Sequence, residues 1–122
     1  MRQILVIDDE IAIAEALCAF LEGEGWQVTT ASNGKEGLER LVSVRPAVVV
    51  SDVMMPVLNG WELCRRMQSD PRYQSIPLVL MSAGPIMPNW VGCSYAALLR
   101  KPFGLDELQQ TITRLLKPNA SP

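Results

Sequence analysis

A chain of 122 residues, 48% of them apolar, can bury one substantial core and is too short to build two domains. A formal net charge of -2, with no cluster of lysine or arginine, gives no electrostatic footprint for nucleic acid, so direct DNA binding is not expected of it. Met1-Arg2 runs straight into Ile4-Leu5-Val6-Ile7 and then into acid, which is no secretory signal, and no apolar run is long enough to span a membrane; a cytoplasmic protein is expected. Cys18, Cys64 and Cys93 are odd in number and far apart, and with no histidine present they cannot form a Cys/His zinc site. They read as unpaired, buried small hydrophobes of a reducing compartment.

Along the chain, short β-branched runs alternate with segments of helical period, the pattern of a parallel sheet covered on both faces. Residues 3–7 form the first strand and end at Asp8-Asp9-Glu10. From 11 to 22, Ile13, Ala16, Leu17, Phe20 and Leu21 recur at helical spacing, and Gly23 and Gly25 close the segment. Residues 26–31 are a second strand, after which Ser32-Asn33-Gly34 turns into a helix carrying Gly37, Leu38, Leu41 and Val42. The third strand, Val48-Val49-Val50-Ser51-Asp52, ends in a carboxylate and breaks at Pro56. Asn59-Gly60 opens a helix with Trp61, Leu63, Cys64 and Met67 inward and Arg65-Arg66 outward, stopped by Asp70-Pro71. Residues 76–81 are the fourth strand, 97–100 a short fifth, and 105–117 a last helix with Leu108, Ile112, Leu115 and Leu116 inward. One domain over 1–117 and a frayed tail over 118–122 are expected.

Parallel strands place their carboxyl ends at one edge of the sheet, where open α/β folds bind ligands. Asp8 and Asp9 follow strand one, Asp52 ends strand three, Ser82 follows strand four and Lys101 follows strand five. Singly, each has an ordinary explanation: an acid near a helix start, a turn serine, a surface lysine. Together they put three carboxylates, a hydroxyl and an ammonium at one edge, where like charges repel unless a cation offsets them. Mg²⁺ takes such oxygen ligands and keeps waters for a phosphate, so the constellation suggests metal-assisted phosphoryl transfer to a carboxylate.

The motifs Ile4-Leu5-Val6-Ile7-Asp8-Asp9-Glu10, Asp52-Val53-Met54-Met55-Pro56 with Asn59-Gly60, Ile76-Pro77-Leu78-Val79-Leu80-Met81-Ser82-Ala83 and Lys101-Pro102-Phe103 resemble, in order, those of bacterial response-regulator receiver domains of the chemotaxis-regulator type. The resemblance implies a flavodoxin-like α/β fold, a doubly wound five-stranded parallel sheet of order 2-1-3-4-5. It implies that Asp52 accepts a phosphoryl group from the phosphohistidine of a histidine kinase or phosphotransfer protein. Asp9, Asp52 and the Met54 carbonyl would hold Mg²⁺, with Asp8 reaching it through water. Lys101 would pair with the acyl phosphate, and the Ser82 hydroxyl would swing in to it. A cis bond before Pro102 would aim the lysine, and the donor would dock near the first helix and the loop after strand five.

Two departures from the family pattern concern output. Leu98 stands where the family usually has an aromatic residue that changes rotamer with the Ser/Thr, and Tyr95, further upstream, has no claim to that role. The Ser82–Lys101 interval is short and carries Pro85 and Pro88, so the fourth helix should be short, displaced or missing. The apolar run Pro85-Ile86-Met87-Pro88-Asn89-Trp90-Val91 would fold back on the sheet, or else, with the last helix, meet a second copy or a downstream protein. Three function classes follow: a phosphorylatable receiver, a degenerate receiver acting as a phosphate-independent interaction module, and a phosphatase-like enzyme. The last is disfavoured because Met54 stands where an aspartyl phosphatase carries its second acid.

Overall fold

Five strands and four helices alternate in the computed structural model, which describes residues 2–84 and 93–116. They are β1 (Gln3–Ile7), α1 (Ile11–Gly23), β2 (Gln27–Ala31), α2 (Gly34–Val44), β3 (Val48–Asp52), α3 (Gly60–Gln68), β4 (Leu78–Ser82), β5 (Ala97–Arg100) and α4 (Leu105–Leu116). All strand pairs are parallel and the sheet order is β2-β1-β3-β4-β5. This is the expected doubly wound arrangement. Among the described residues no helix stands between β4 and β5, in keeping with a short or missing helix there. The apolar run 85–91, the proposed tail 118–122 and Lys117 lie outside the described residues.

The central strands are buried on both faces because successive side chains alternate between two cores. Leu5, Ile7, Val49, Leu78 and Leu80 face α2 and α3, where they meet Leu41, Trp61, Leu63, Cys64 and Met67. Ile4, Val6, Val48, Val50, Val79 and Met81 face α1 and α4, where they meet Leu17, Leu21, Leu108 and Ile112. A strand held by side chains above and below cannot slip by one residue without exchanging the two sets. The register is thereby fixed, and with it the residue that each strand presents at its carboxyl end.

Several boundaries and faces differ from expectation. On α1 the buried alanine is Ala14, not Ala16, because the inward stripe runs through residues 14, 17 and 21. Val42 on α2 is exposed, beyond the edge of that helix's inward face. β4 begins at Leu78, since Pro77 offers no N–H to the ladder.

The cysteine expectation is corrected outright. Cys64 on α3 and Cys93 in the approach to β5 form a disulfide, their Cα atoms 5.4 Å apart, and only Cys18 is a free thiol. Folding α3 and the β5 approach onto the same face brings together residues separated by 29 positions, a proximity that spacing alone does not reveal. Closing a loop of that length restricts the unfolded chain and stabilises the fold by about 3–4 kcal/mol in the chain-entropy account.

The loop from β3 to α3 carries local strain. Leu58 N–H donates to the Pro56 carbonyl at 2.7 Å, closing a tight turn around Val57, whose φ is 70°. A β-branched residue resists positive φ, and such positions cost about 1–3 kcal/mol. Val57 is also largely exposed and contributes little packing in return. Val57→Gly is therefore expected to raise stability by about 1 kcal/mol in urea unfolding, although glycine in an ordinary loop lowers it. A loss of stability would show that the turn is unstrained.

Candidate functional site

The carboxyl edge of the sheet assembles the polar residues from four separate strand ends. Asp8 and Asp9 follow β1, Asp52 is the last residue of β3, Ser82 the last of β4, and Lys101 comes directly after β5. Asp8, Asp9 and Asp52 each aim a carboxylate oxygen into one space, and the three oxygens lie within 4.8 Å of one another. Asp8 and Asp52 are buried, whereas Asp9 is exposed. The Lys101 ammonium reaches between the two buried acids, 3.5 Å from Asp8 Oδ2 and 3.5 Å from Asp52 Oδ2. Backbone geometry fixes the first acid further, since Glu10 N–H donates to Asp8 Oδ1 at 2.9 Å.

The start of α3 sets the floor beneath Asp52. Asn59 caps the helix by accepting from Glu62 N–H at 2.9 Å, and the Glu62 carboxylate accepts from Asn59 N–H at 3.4 Å. The next residue has no room for a side chain: a Cβ on Gly60 would stand 2.7 Å from the Asp52 carbonyl oxygen and 2.8 Å from Val53 Cα. Gly60 is thus required by close approach rather than by its dihedral angles.

Burial pushes the Asp52 carboxyl above the ordinary carboxylate range, against the pull of Lys101 and with the push of Asp8. Buried acids that crowd one another are the donor set a hard divalent cation takes, and all the protein atoms on offer are oxygens.

Known proteins resemble this chain in sequence and in fold. The sequence model of the response regulator receiver domain matches residues 4–113. The chain belongs to that family. It is 36% identical over 119 residues to the response regulator Rre1 of Synechocystis, a match that covers 93% of this chain and 51% of that protein. The chain therefore spans about half the length of such relatives. Among solved structures, the signal receiver domain of a signal transduction histidine kinase from Syntrophus aciditrophicus superposes with a TM-score of 0.88 at 30% identity, covering 100% of this chain and 97% of that one. The chemotaxis response regulator CheY4 of Vibrio cholerae superposes with a TM-score of 0.85 at 29% identity, covering 95% and 99%.

Ser82 and Met54 complete the set of expected site residues of this receiver. The Ser82 hydroxyl is held in its own turn, donating to the Gly84 carbonyl at 3.2 Å and accepting from Gly84 N–H at 3.3 Å. The Met54 side chain is exposed on the β3–α3 loop. Leu98 pairs with Leu80 across β4 and β5 and packs half-buried against the α2–α3 core. Tyr95 lies with its ring 5.8 Å from that of Trp61, edge to face, as part of the α3 surface. Sequence reasoning missed Gly60 as a site residue, although Asn-Gly just before an apolar helical stretch is the signal that could have found it.

A carboxyl raised by burial makes the folded protein hold its proton at a pH where the unfolded chain has lost it, so this group's contribution to stability falls as pH rises through that window. Asp52→Asn removes the penalty. In chelator-treated protein it is expected to raise Tm at pH 7. The gain should shrink as pH falls through that window and vanish below the ordinary carboxylate pKa, which thermal unfolding between pH 3 and pH 7, roughly the range that brackets that value, would read directly.

Proposed function

We propose that this receiver takes a phosphoryl group onto Asp52 from the phosphohistidine of a histidine kinase or phosphotransfer protein, with Mg²⁺ held by Asp9, Asp52 and the Met54 carbonyl and reached by Asp8 through water. The observation that carries this is the convergence of three carboxylate oxygens within 4.8 Å beside one ammonium at the edge of a receiver sheet. A bound divalent ion would supply positive charge to offset the phosphoryl oxygens. In the transfer, an Asp52 oxygen attacks phosphorus, the bond from phosphorus to the donor imidazole nitrogen breaks, and the imidazole keeps the electron pair.

Lys101 already stands 3.5 Å from Asp52 and is placed to pair with the acyl phosphate once Asp52 no longer offers it a free carboxylate. Ser82 would leave its turn with Gly84 and donate to a phosphoryl oxygen. Two residues after Asp52, the Met54 side chain offers no acid or base to speed attack by water, so the chemistry supports signalling through a slowly lost phosphoryl group rather than turnover of external substrates. A cytoplasmic place of action follows from the proposed donor. On its net charge of -2 the receiver is assigned no nucleic-acid contact of its own.

Intact mass measured with acetyl phosphate tests the reading. A gain of one phosphoryl group is expected with Mg²⁺, none after chelation, and none in Asp52→Ala. Lys101→Ala should slow the gain by roughly tenfold or more, the scale on which removing one charge that meets a developing anion is felt. A gain that persists in Asp52→Ala would refute the assignment.

A further inference from the structure

The disulfide between Cys64 and Cys93 lies outside the acid cluster, yet each of its ends leads into it. Cys64 is on α3, whose first residue, Gly60, leaves no room for a side chain beside the Asp52 carbonyl and donates its N–H to the Val53 carbonyl at 2.9 Å. Cys93 is in the approach to β5, whose far end hands the chain to Lys101. Lys101 then meets Asp52 at 3.5 Å. The covalent link therefore closes a ring through Asp52, α3, the two sulfurs, β5 and Lys101. Inside the ring stands β4 with Ser82 at its end, and Lys101 N–H donates to the Ser82 carbonyl at 2.8 Å.

Within the described approach to β5, two weaker ties run parallel to the disulfide. Tyr95 rests edge to face on the buried Trp61 of α3, and Ala96 N–H donates to the Leu78 carbonyl at 2.8 Å. These can keep the segment in place when the sulfur link opens. The two sulfurs differ in access, since Cys64 is buried and Cys93 is half-buried. Cys93 is thus the more exposed of the two residues, and which sulfur is accessible governs thiol–disulfide exchange.

We propose that Cys64–Cys93 is a reversible thiol–disulfide site, opened by a dithiol reductant through Cys93 and closed by a disulfide oxidant, which stiffens the β5 arm carrying Lys101 when closed. In opening, a reductant thiolate bonds to Cys93 Sγ, the Cys64–Cys93 bond breaks, and Cys64 Sγ leaves with the electron pair and takes a proton. The reductant's second thiol then displaces Cys93 and the reductant departs as a disulfide, so two electrons pass to the protein. Closed, the link resists the movements of Ser82 and Lys101 that capture of a phosphoryl group requires; this part rests on the proposed role of Asp52. The closed form should accordingly accept a phosphoryl group more slowly than the open form.

The folded protein, treated with dithiothreitol and then with oxidised glutathione, tests both parts. Iodoacetamide alkylation under denaturing conditions, read by intact mass, should show two further thiols beside Cys18 after reduction of the folded protein, lost again on oxidation, with the helical circular dichroism of the folded protein unchanged. Amide exchange over residues 96–101 should quicken about threefold or more on reduction, a change in local opening that needs no phosphoryl donor. Cys93→Ser should show the fast exchange whatever the oxidant. Phosphoryl gain from acetyl phosphate with Mg²⁺ should be about threefold faster in the reduced form. A disulfide that resists reduction until the protein unfolds, or exchange unchanged between the two forms, overturns the site. Redox-dependent exchange with no phosphoryl gain in either form would leave the site standing and remove Asp52 as acceptor.

Discussion

Two buried carboxylates share one ammonium, and the rest of the receiver is arranged so that they must. Asp8 and Asp52 are carried by neighbouring strands, β1 and β3, and their separation is set by the sheet rather than by either side chain. Lys101 stands 3.5 Å from both, which offsets part of their repulsion without forming a close hydrogen bond to either. Burial still holds the Asp52 carboxyl above its ordinary range, so the folded protein bears an electrostatic cost at neutral pH that a less crowded edge would avoid. A fold can retain such a cost only where packing elsewhere is secure. Here that security lies in strands whose alternate residues are fixed in two separate cores.

The same double burial explains why so much of the fold was legible. A run such as Val48-Val49-Val50 has no polar face, so it can be only a central strand or part of a buried helix, and its short length before Pro56 decides for the strand. Once five such runs alternate with helical segments, the parallel direction follows, and with it the edge at which Asp8, Asp52, Ser82 and Lys101 arrive. The acid and lysine placements were thus a consequence of topology. The direction of the Ser82 hydroxyl was not, because whether it meets Gly84 or Asp52 depends on the local turn after β4.

What escaped the sequence has a common physical character, for each missed feature depends on distance between elements rather than on pattern within one. Cys64 and Cys93 lie on a helix and an approach segment that only the folded α3 face brings together. Gly60 looks like a turn glycine beside Asn59, and its real constraint is the Asp52 backbone underneath it. Val57 gives no turn signal at all, since valine is among the residues least suited to positive φ. The Ala14 and Ala16 exchange is a smaller error of the same kind: two alanines two residues apart on one helix are told apart only by where the sheet lies.

The departures at Leu98 and Tyr95 acquire a shape from these contacts. In the family pattern, an aromatic residue on the fifth strand would report what happens to the hydroxyl after the fourth. Here Leu98 is half-buried against the α2–α3 core, with no polar end to move toward or away from solvent. The aromatic residue nearest in sequence, Tyr95, is bound to Trp61 on α3 instead. The β5 arm is therefore tied to α3 through an aromatic contact, and one residue pair further on through sulfur. A displacement at Lys101 or Ser82 would meet α3 before it met a mobile aromatic ring, and α3 is the helix whose first residue rests on Asp52. Among the described residues, the ties of the β5 arm thus run back to α3, the helix that begins beside Asp52.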